Sequence, residues 1–110
     1  MSEAVADWDV ETVCTLIGNA RRQRVLKFLD ESGGDVRTAE LVNALAPRCE
    51  GSTEQVRMAL KHVDLPKLDG AGVIRYDAGD DRVDPTVHVE TLCATVDAIE
   101  ETVAARMKRP

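Results

Sequence analysis

The stretch that most constrains the fold of this chain is STEQVRMALKHVDLPKL, residues 52–68. Ser52 is a preferred helix N-cap residue, and Gln55 follows three positions later, which is the spacing of a capping box. Apolar residues then recur at helical spacing and predict a buried stripe of Val56, Ala59, Leu60 and Val63. The opposite face carries long polar or basic side chains, namely Glu54, Arg57, Met58, Lys61 and His62. A helix of this kind can read a groove.

Pro66 interrupts the stretch, since proline has no backbone N–H and its ring clashes with the preceding turn. We therefore expect the last turn to kink or loosen near residues 63–65. Gly70 and Gly72 are expected to close the segment. A hairpin should follow. Its first strand contains Val73, Ile74 and Tyr76, its turn runs from Ala78 to Asp81, and its short return strand contains Arg82 and Val83.

The residues ahead of this stretch predict a shorter helix. Thr38 is placed to cap it, Pro47 ends it, and its inward residues are Leu41, Val42 and Leu45. Val36 lies at the centre of a short extended segment just before. Helix, turn, helix and hairpin is the order of a winged helix-turn-helix.

Two further helices are expected in the N-terminal part. The first begins at Asp9 and has a face of Val10, Val13, Cys14 and Ile17. Gly18 is expected to stop it and Asn19 to cap the next helix, although a single helix kinked at Gly18 is the alternative. The second runs to Glu31, ends at residues 32–34, and buries Val25, Leu26, Phe28 and Leu29.

The second helix carries a basic cluster that we expect to be exposed, comprising Arg21, Arg22, Arg24 and Lys27. One interpretation is a solvated face that neutralises the acidic ends of the chain. The other is contact with DNA phosphates, which positions a protein without reading sequence. The hairpin is similarly ambiguous, because Arg75 and Arg82 can meet phosphates or a minor groove while the acidic tip repels them.

The C-terminal part contains a short heptad seam of Val89, Leu92, Val96, Ile99 and Val103. This helix can pack within the chain, but we favour a homodimer in which Val10, Val13 and Ile17 join the same interface. The predicted fold is mainly α with a small β-hairpin, a winged helix-turn-helix with N- and C-terminal dimerisation helices. Its parts are a helical arm over 1–18, the winged domain over 19–84 and the dimerisation helix over 85–110.

The net charge of −6 is unusual for a nucleic-acid binder. The central segment 20–76 is nevertheless mildly basic, with ten basic and eight acidic residues, and both ends are acidic. Few of the basic residues are lysines, a composition that fits a salt-rich cytoplasm where charge is screened over a few ångströms. No apolar run is long enough to span a membrane, so we expect a soluble, cytoplasmic protein.

The three cysteines, Cys14, Cys49 and Cys93, include no CxxC pair, which argues against a disulfide framework. We expect small buried residues, with a redox or metal site involving His62 or His88 as the alternative.

Four segments carry a resemblance to a known family: LIGNARRQRVLKFL, VRTAELVNAL, QVRMALKHVDLPKLDGAGVIRYD and the terminal helix. Over roughly residues 9–84 the chain resembles a family of small haloarchaeal winged-helix proteins of unknown function. That family is distantly similar to arsenic-repressor-type and multiple-antibiotic-resistance-type regulators. The resemblance implies a winged-helix fold, a transcription-regulatory role and a halophilic, archaeal setting. It also implies dimerisation through terminal helices and a major-groove position for the helix over residues 52–65. The metal motif of the metal-sensing branch is absent from this sequence.

The first functional hypothesis is a dimeric transcriptional regulator that binds double-stranded DNA. Arg57 would contact a guanine edge, Gln55 an adenine and Lys61 a phosphate. His62 can contribute or be partly buried, and Met58 can touch a thymine methyl group or pack under the hairpin. The second hypothesis is a winged-helix module that binds protein, whose basic residues would be held in salt bridges by Glu54, Asp64 or Asp77.

An enzyme is not expected, because the sequence contains no nucleophile–base pair, phosphate loop or metal-spaced carboxylate cluster. No cofactor or metal is expected. The sequence identifies no effector, although a pocket between the domain and a dimer helix would leave no motif.

Overall fold

The computed structural model describes residues 8–107. The acidic end over 1–7, and residues 108–110 of the predicted C-terminal helix, lie outside the described residues. Within the described range the elements are, in chain order, α1 (Val10–Ile17), α2 (Ala20–Ser32), β1 (Val36–Arg37), α3 (Thr38–Leu45), a 3-10 turn (Ala46–Arg48), α4 (Thr53–Ala59), a π turn (Leu60–Asp64), α5 (Leu65–Gly70), β2 (Ile74–Asp77), β3 (Arg82–Pro85) and α6 (His88–Met107).

The predicted break at Gly18 is confirmed. The Asn19 side chain accepts hydrogen bonds from the N–H groups of Arg21 and Arg22, at 2.9 and 3.2 Å, and so starts α2 as a separate helix. A Cβ at position 18 would lie 2.5 Å from the Cys14 carbonyl oxygen, so the turn between the helices requires glycine. Gly33 ends α2 in the left-handed conformation.

The three strands form an antiparallel sheet in the order β1-β3-β2. Val83 of β3 pairs with Val36 of β1 on one side and with Tyr76 of β2 on the other. The predicted hairpin is thus joined by a third strand from the short extended segment around Val36. The protein is mainly helical with a small three-stranded antiparallel sheet, an arrangement compatible with a winged-helix topology.

A single aliphatic core joins the helices to the sheet. Its fully buried members include Leu26, Leu41, Leu60, Leu68 and Ile74. Phe28 is only half-buried and packs at the edge of this core, contrary to the prediction. Burial of the larger side chains removes apolar surface from water at about 25 cal/mol per Å², which is the main force holding the layers together.

The predicted apolar face of α1 is wrong in two positions. Val10 is 78% exposed and Cys14 is also exposed, whereas Leu16 and Ile17 are buried. Because α1 ends against the first turn of α2, its last turn lies deepest in the core. Val13 packs against the core from a half-buried position.

The first half of α6 belongs to the core of the same protomer. Val89 and Leu92 are 2% and 1% exposed, and Val96 packs against them from a half-buried position. Val89, Leu92 and Ile17 are therefore core residues and not interface residues, which corrects the predicted dimer seam. The second half differs, since Ile99 and Val103 are 48% and 52% exposed and every residue from 97 to 107 is exposed.

The expected loosening before Pro66 takes the form of the π turn. The Leu65 N–H donates to the Leu60 carbonyl, five residues back. A π turn has more residues per turn than an α-helix, so it shifts which side chains face inward. Val63 is 45% exposed, contrary to the predicted stripe, and Asp64 takes the inward position at 0% exposure.

The cysteines are less buried than predicted. Cys14 is exposed, while Cys49 and Cys93 are half-buried. Burial, followed by the nearby charges of Asp30, Asp97 and Glu31, raises the pKa of the Cys93 thiol to about 11. This thiol therefore stays protonated, and a poor nucleophile, throughout the neutral range.

In the described part of the chain, no helix combines the length and the apolar character needed to cross a lipid bilayer.

Candidate nucleic-acid interface

The start of α4 is fixed by the predicted capping box. The Gln55 N–H donates to Ser52 Oγ at 3.1 Å, and the Ser52 N–H donates to Gln55 Oε1 at 2.7 Å. Gly51 has a φ of 97°, and a Cβ there would lie 2.6 Å from the same Gln55 oxygen. Adenine recognition needs both the oxygen and the amide nitrogen of glutamine. Because the Gln55 oxygen accepts the capping hydrogen bond, Gln55 stabilises the start of α4 and cannot contact adenine unless that bond breaks.

The outward face of α4 and the π turn is accessible to a partner. The Arg57 side chain is 42% exposed and Met58 is 47% exposed, while Lys61 is half-buried and His62 exposed. Nearly half of the Met58 side chain is therefore available for contact with a partner. Lys61 and His62 form no ion pair with any residue between 8 and 107.

Arg57 forms an ion pair with Glu54, whose side chain is 65% exposed. Exposed pairs of this kind contribute about 0.2–1 kcal/mol and weaken as salt rises. The Arg57 guanidinium is consequently held only loosely and can exchange Glu54 for another acceptor, such as a phosphate or a guanine edge.

The basic cluster of α2 is placed differently from the prediction. Arg22 was expected to be exposed but is only 7% exposed, and its Nη1 lies 3.1 Å from Asp64 Oδ1. Arg21 is also paired with Asp64. Arg22 cannot contact a phosphate from this position, and Arg21 would have to leave its partner to do so. Arg24 is half-buried, with Nη1 3.9 Å from the Cys49 sulfur.

Sequence reasoning named Asp64 as a possible salt-bridge partner of the basic residues but did not place it in the core. The predicted stripe gave the inward position to Val63, although Asp64, four residues after Leu60, shares that face at helical spacing. Pro66 predicts a disturbed turn but not the direction in which the side chains move.

Both arginines of the hairpin are exposed, but their charged partners differ. Arg75 is exposed on β2, with Asp84 opposite it on β3. Arg82 lies 3.4 Å from Asp35 and 3.6 Å from Asp80, so its charge is shared by two exposed carboxylates. Asp81, at the tip, has a positive φ of 55°. Repulsion by the tip limits any contact of the hairpin with phosphates.

A groove of about 420 Å³ lies between α2 and α6. Basic and acidic side chains both line it, namely Arg24, Lys27 and Arg48 with Asp30, Glu31, Asp97 and Glu100, and Cys93 and Val96 contribute apolar surface. This mixed lining selects no ligand class. Within residues 8–107, no three His, Cys, Asp or Glu side chains come close enough together to hold a metal ion.

The arrangement brings together Arg57, Met58, Lys61 and His62 on one outward face of α4 and the π turn. It leaves Arg75 exposed on the hairpin, whereas Arg22 is buried and the partly exposed Arg21 is paired with Asp64. Such a face can present one arginine and one lysine to a groove or to an acidic protein surface.

Comparison with known proteins gives one relationship. Neither the curated proteins nor the solved structures contain a match to this chain. A family profile described as a domain of unknown function, DUF7344, matches residues 14–84, which is more than half of the chain and runs from α1 through the sheet. The chain therefore belongs to the DUF7344 family.

Proposed function

We propose that this protein is a winged helix-turn-helix transcriptional regulator that binds double-stranded DNA as a homodimer. The observation that carries the proposal is the two-sided character of α4. Val56 and Leu60 are at most 2% exposed on its inner side, while within residues 8–107 its outward basic side chains form no ion pair with another element. This helix follows α3 and precedes a hairpin, which is the order of a DNA-reading helix and its wing.

In this proposal the segment over residues 52–65 enters the major groove. Arg57 exchanges Glu54 for a guanine, whose O6 and N7 match the guanidinium in a bidentate way. Met58 contacts a thymine methyl group, Lys61 contacts a phosphate, and His62 is free to contact either. The wing over residues 73–84 adds Arg75 and, once released from its carboxylates, Arg82.

The acid-rich, lysine-poor composition supports a halophilic archaeal cytoplasm as the setting. Counterion release contributes little to binding when salt is high. Specificity would then depend on base-edge contacts and shape, which suits an interface with few free cations.

We assign the dimer interface to the free end of α6 and to Val10. Ile99, Val103 and Met107 lie four residues apart along the exposed end of this helix. These side chains leave apolar surface in contact with water, which a second copy of the helix would cover. The neighbouring face consists of small uncharged residues, Ala94, Thr95, Ala98 and Thr102, over which a second helix can approach closely.

The double variant Ile99→Glu/Val103→Glu is expected to be monomeric, because two carboxylates would be buried in the dimer without partners. Sedimentation velocity should show the mass reduced by half, with the circular dichroism of the helical body retained. Val87→Glu, at an exposed valine just before α6, is the control and should remain dimeric. A dimeric double variant would contradict this assignment.

A second candidate is a winged-helix module that binds protein and does not bind DNA specifically. The observation that favours it is ion pairing, since Arg21, Arg22, Arg57 and Arg82 all have carboxylate partners. The exposure of the Arg57 pair is the reason that we place DNA binding first.

The test is genome-wide capture of crosslinked DNA in the native high-salt cell. Discrete promoter peaks are expected for the wild type, with loss of those peaks in Arg57→Ala/Lys61→Ala. The loss of two charged hydrogen bonds, each about 1.5–3 kcal/mol, corresponds to at least a hundredfold weaker binding.

The matched control is Arg48→Ala/Arg106→Ala, which removes the same charge from two exposed residues to which no DNA contact is assigned and should retain the peaks. Absence of peaks for a folded wild-type dimer would overturn the DNA hypothesis and favour the protein-binding module.

A further inference from the structure

A buried ion-pair cluster connects the candidate reading helix to the first turn of α2. Asp64 is 0% exposed, and its Oδ1 lies 3.1 Å from Arg22 Nη1 and 3.4 Å from Arg21 Nη2. Arg21 Nε also donates to Asp64 Oδ2. The desolvation of buried charges costs several kcal/mol for each ion, so such a cluster is weak support for stability by itself. A geometrical role is the better reason for its presence.

Arg22 extends the cluster to α1. Its Nε donates to the Leu16 carbonyl at 2.9 Å, and its Nη2 donates to the Thr15 carbonyl at 2.7 Å. These carbonyls belong to the last turn of α1, where no intrahelical donor is available. One planar guanidinium therefore contacts the end of α1 on one side and the π turn on the other.

Asp64 follows Leu60 by four residues, a spacing that places both side chains on the same, buried face of a helix. The π turn has more residues per turn and rotates Val63 outward. Asp64 is therefore left as the inward side chain at the contact with α2. Since the cluster holds the C-terminal end of the π turn, it also limits rotation of α4, which lies at the other end.

We propose that the cluster of Asp64, Arg22 and Arg21 is a positioning device that sets the orientation of α4 relative to α1. Apolar packing tolerates small rotations of a helix, whereas hydrogen bonds from a planar guanidinium are directional. Asp64 is a positioning residue and does not itself contact DNA. The consequence for DNA affinity rests on the proposed function, but the orientation of α4 does not.

The orientation can be measured without DNA. Spin labels are attached to Cys14 on α1 and to Thr53→Cys at the start of α4, both exposed, in a Cys49→Ala/Cys93→Ala background. The parent should give a single narrow distance distribution. In Asp64→Asn, which keeps the side-chain shape but removes the charge, we expect a displaced or broadened distribution. If the cluster only stabilised the fold, Asp64→Asn would lower the unfolding temperature and leave the distance distribution of the folded protein unchanged.

Asp30→Asn, at an exposed aspartate of α2, is the matched control and should keep the parent distribution. Affinity for a DNA site captured by the wild type should fall about tenfold or more in Asp64→Asn, within the range of measured coupling between sites. Should Asp64→Asn not fold, Arg21→Gln replaces it, because the Arg21 side chain is 28% exposed and its loss is milder.

An unchanged distance distribution in the folded variant overturns the inference, whatever the DNA result. A changed distribution with unchanged DNA affinity overturns the link between orientation and binding. A changed distribution in a protein that captures no DNA supports the positioning role and overturns the proposed function alone.

Discussion

Arg22→Ala is expected to lower the free energy of unfolding by about 3–5 kcal/mol, a large fraction of the stability of a domain of this size. The substitution leaves the Asp64 carboxylate fully buried with only Arg21 beside it. It also removes the donors to the carbonyls of Thr15 and Leu16. Urea denaturation followed by circular dichroism measures the change.

Arg24→Ala is the control, because it makes the same substitution on the same helix at a half-buried residue. Among residues 8–107 the Arg24 side chain has a single polar contact, from Nη1 to the Cys49 sulfur at 3.9 Å. The effect of Arg24→Ala should stay within about 0.5 kcal/mol. The pair replacement Arg22→Met/Asp64→Leu should cost much less than Arg22→Ala, since no charge remains buried without its partner. A small effect of Arg22→Ala would show that water reaches Asp64 and that the cluster is not a buried one.

Leu60→Ala is expected to destabilise the protein by about 2–5 kcal/mol, whereas Val63→Ala should change stability by less than about 0.5 kcal/mol. Leu60 is 0% exposed in the core, so its truncation leaves a cavity. Val63 is 45% exposed because the π turn rotates it outward. The ideal helical spacing of the sequence predicts the opposite for Val63, a buried residue whose truncation is costly.

The comparison of the two variants by thermal and urea unfolding therefore tests which side chains of this helical segment face the core. A third variant, Pro66→Ala, restores the N–H that an α-helix would use at this position. Equal losses for Leu60→Ala and Val63→Ala in the wild-type background would contradict the π turn. If Val63→Ala becomes costly only in the Pro66→Ala background, the proline is the cause of the shift.

Signals that act within about four residues predicted most of the elements. Ser52 with Gln55, Asn19, and Gly33 mark helix ends because their side chains or backbone satisfy groups of the same helix. The hairpin was predicted for a similar reason, since its turn residues lie between two short β-branched runs. The two additional elements, β1 as a third strand and α5 after the π turn, are extensions of segments that the sequence had already indicated.

The candidate site was predicted less well than the fold. The outward positions of Arg57, Met58 and His62 follow from helical periodicity and agree with the structure. The positions of Arg22 and Asp64 do not follow from it, because these residues are 42 positions apart and nothing local indicates that they pair. A basic run on a helix has the same appearance in sequence whether it faces water or a buried carboxylate.

The sequence by itself determined where most helices begin and end and which type of element most segments form, because capping, turn and proline effects are local. Only the tertiary structure decided which faces are buried. The apolar stripe of α6 is divided between the protomer's core at Val89 and Leu92 and an exposed end at Ile99 and Val103. In the helical segment after Ser52, the sequence pattern predicts Val63 as the buried residue, whereas the structure buries Asp64. Both outcomes have the same physical reason, which is that burial depends on the surfaces brought against a segment by distant parts of the chain.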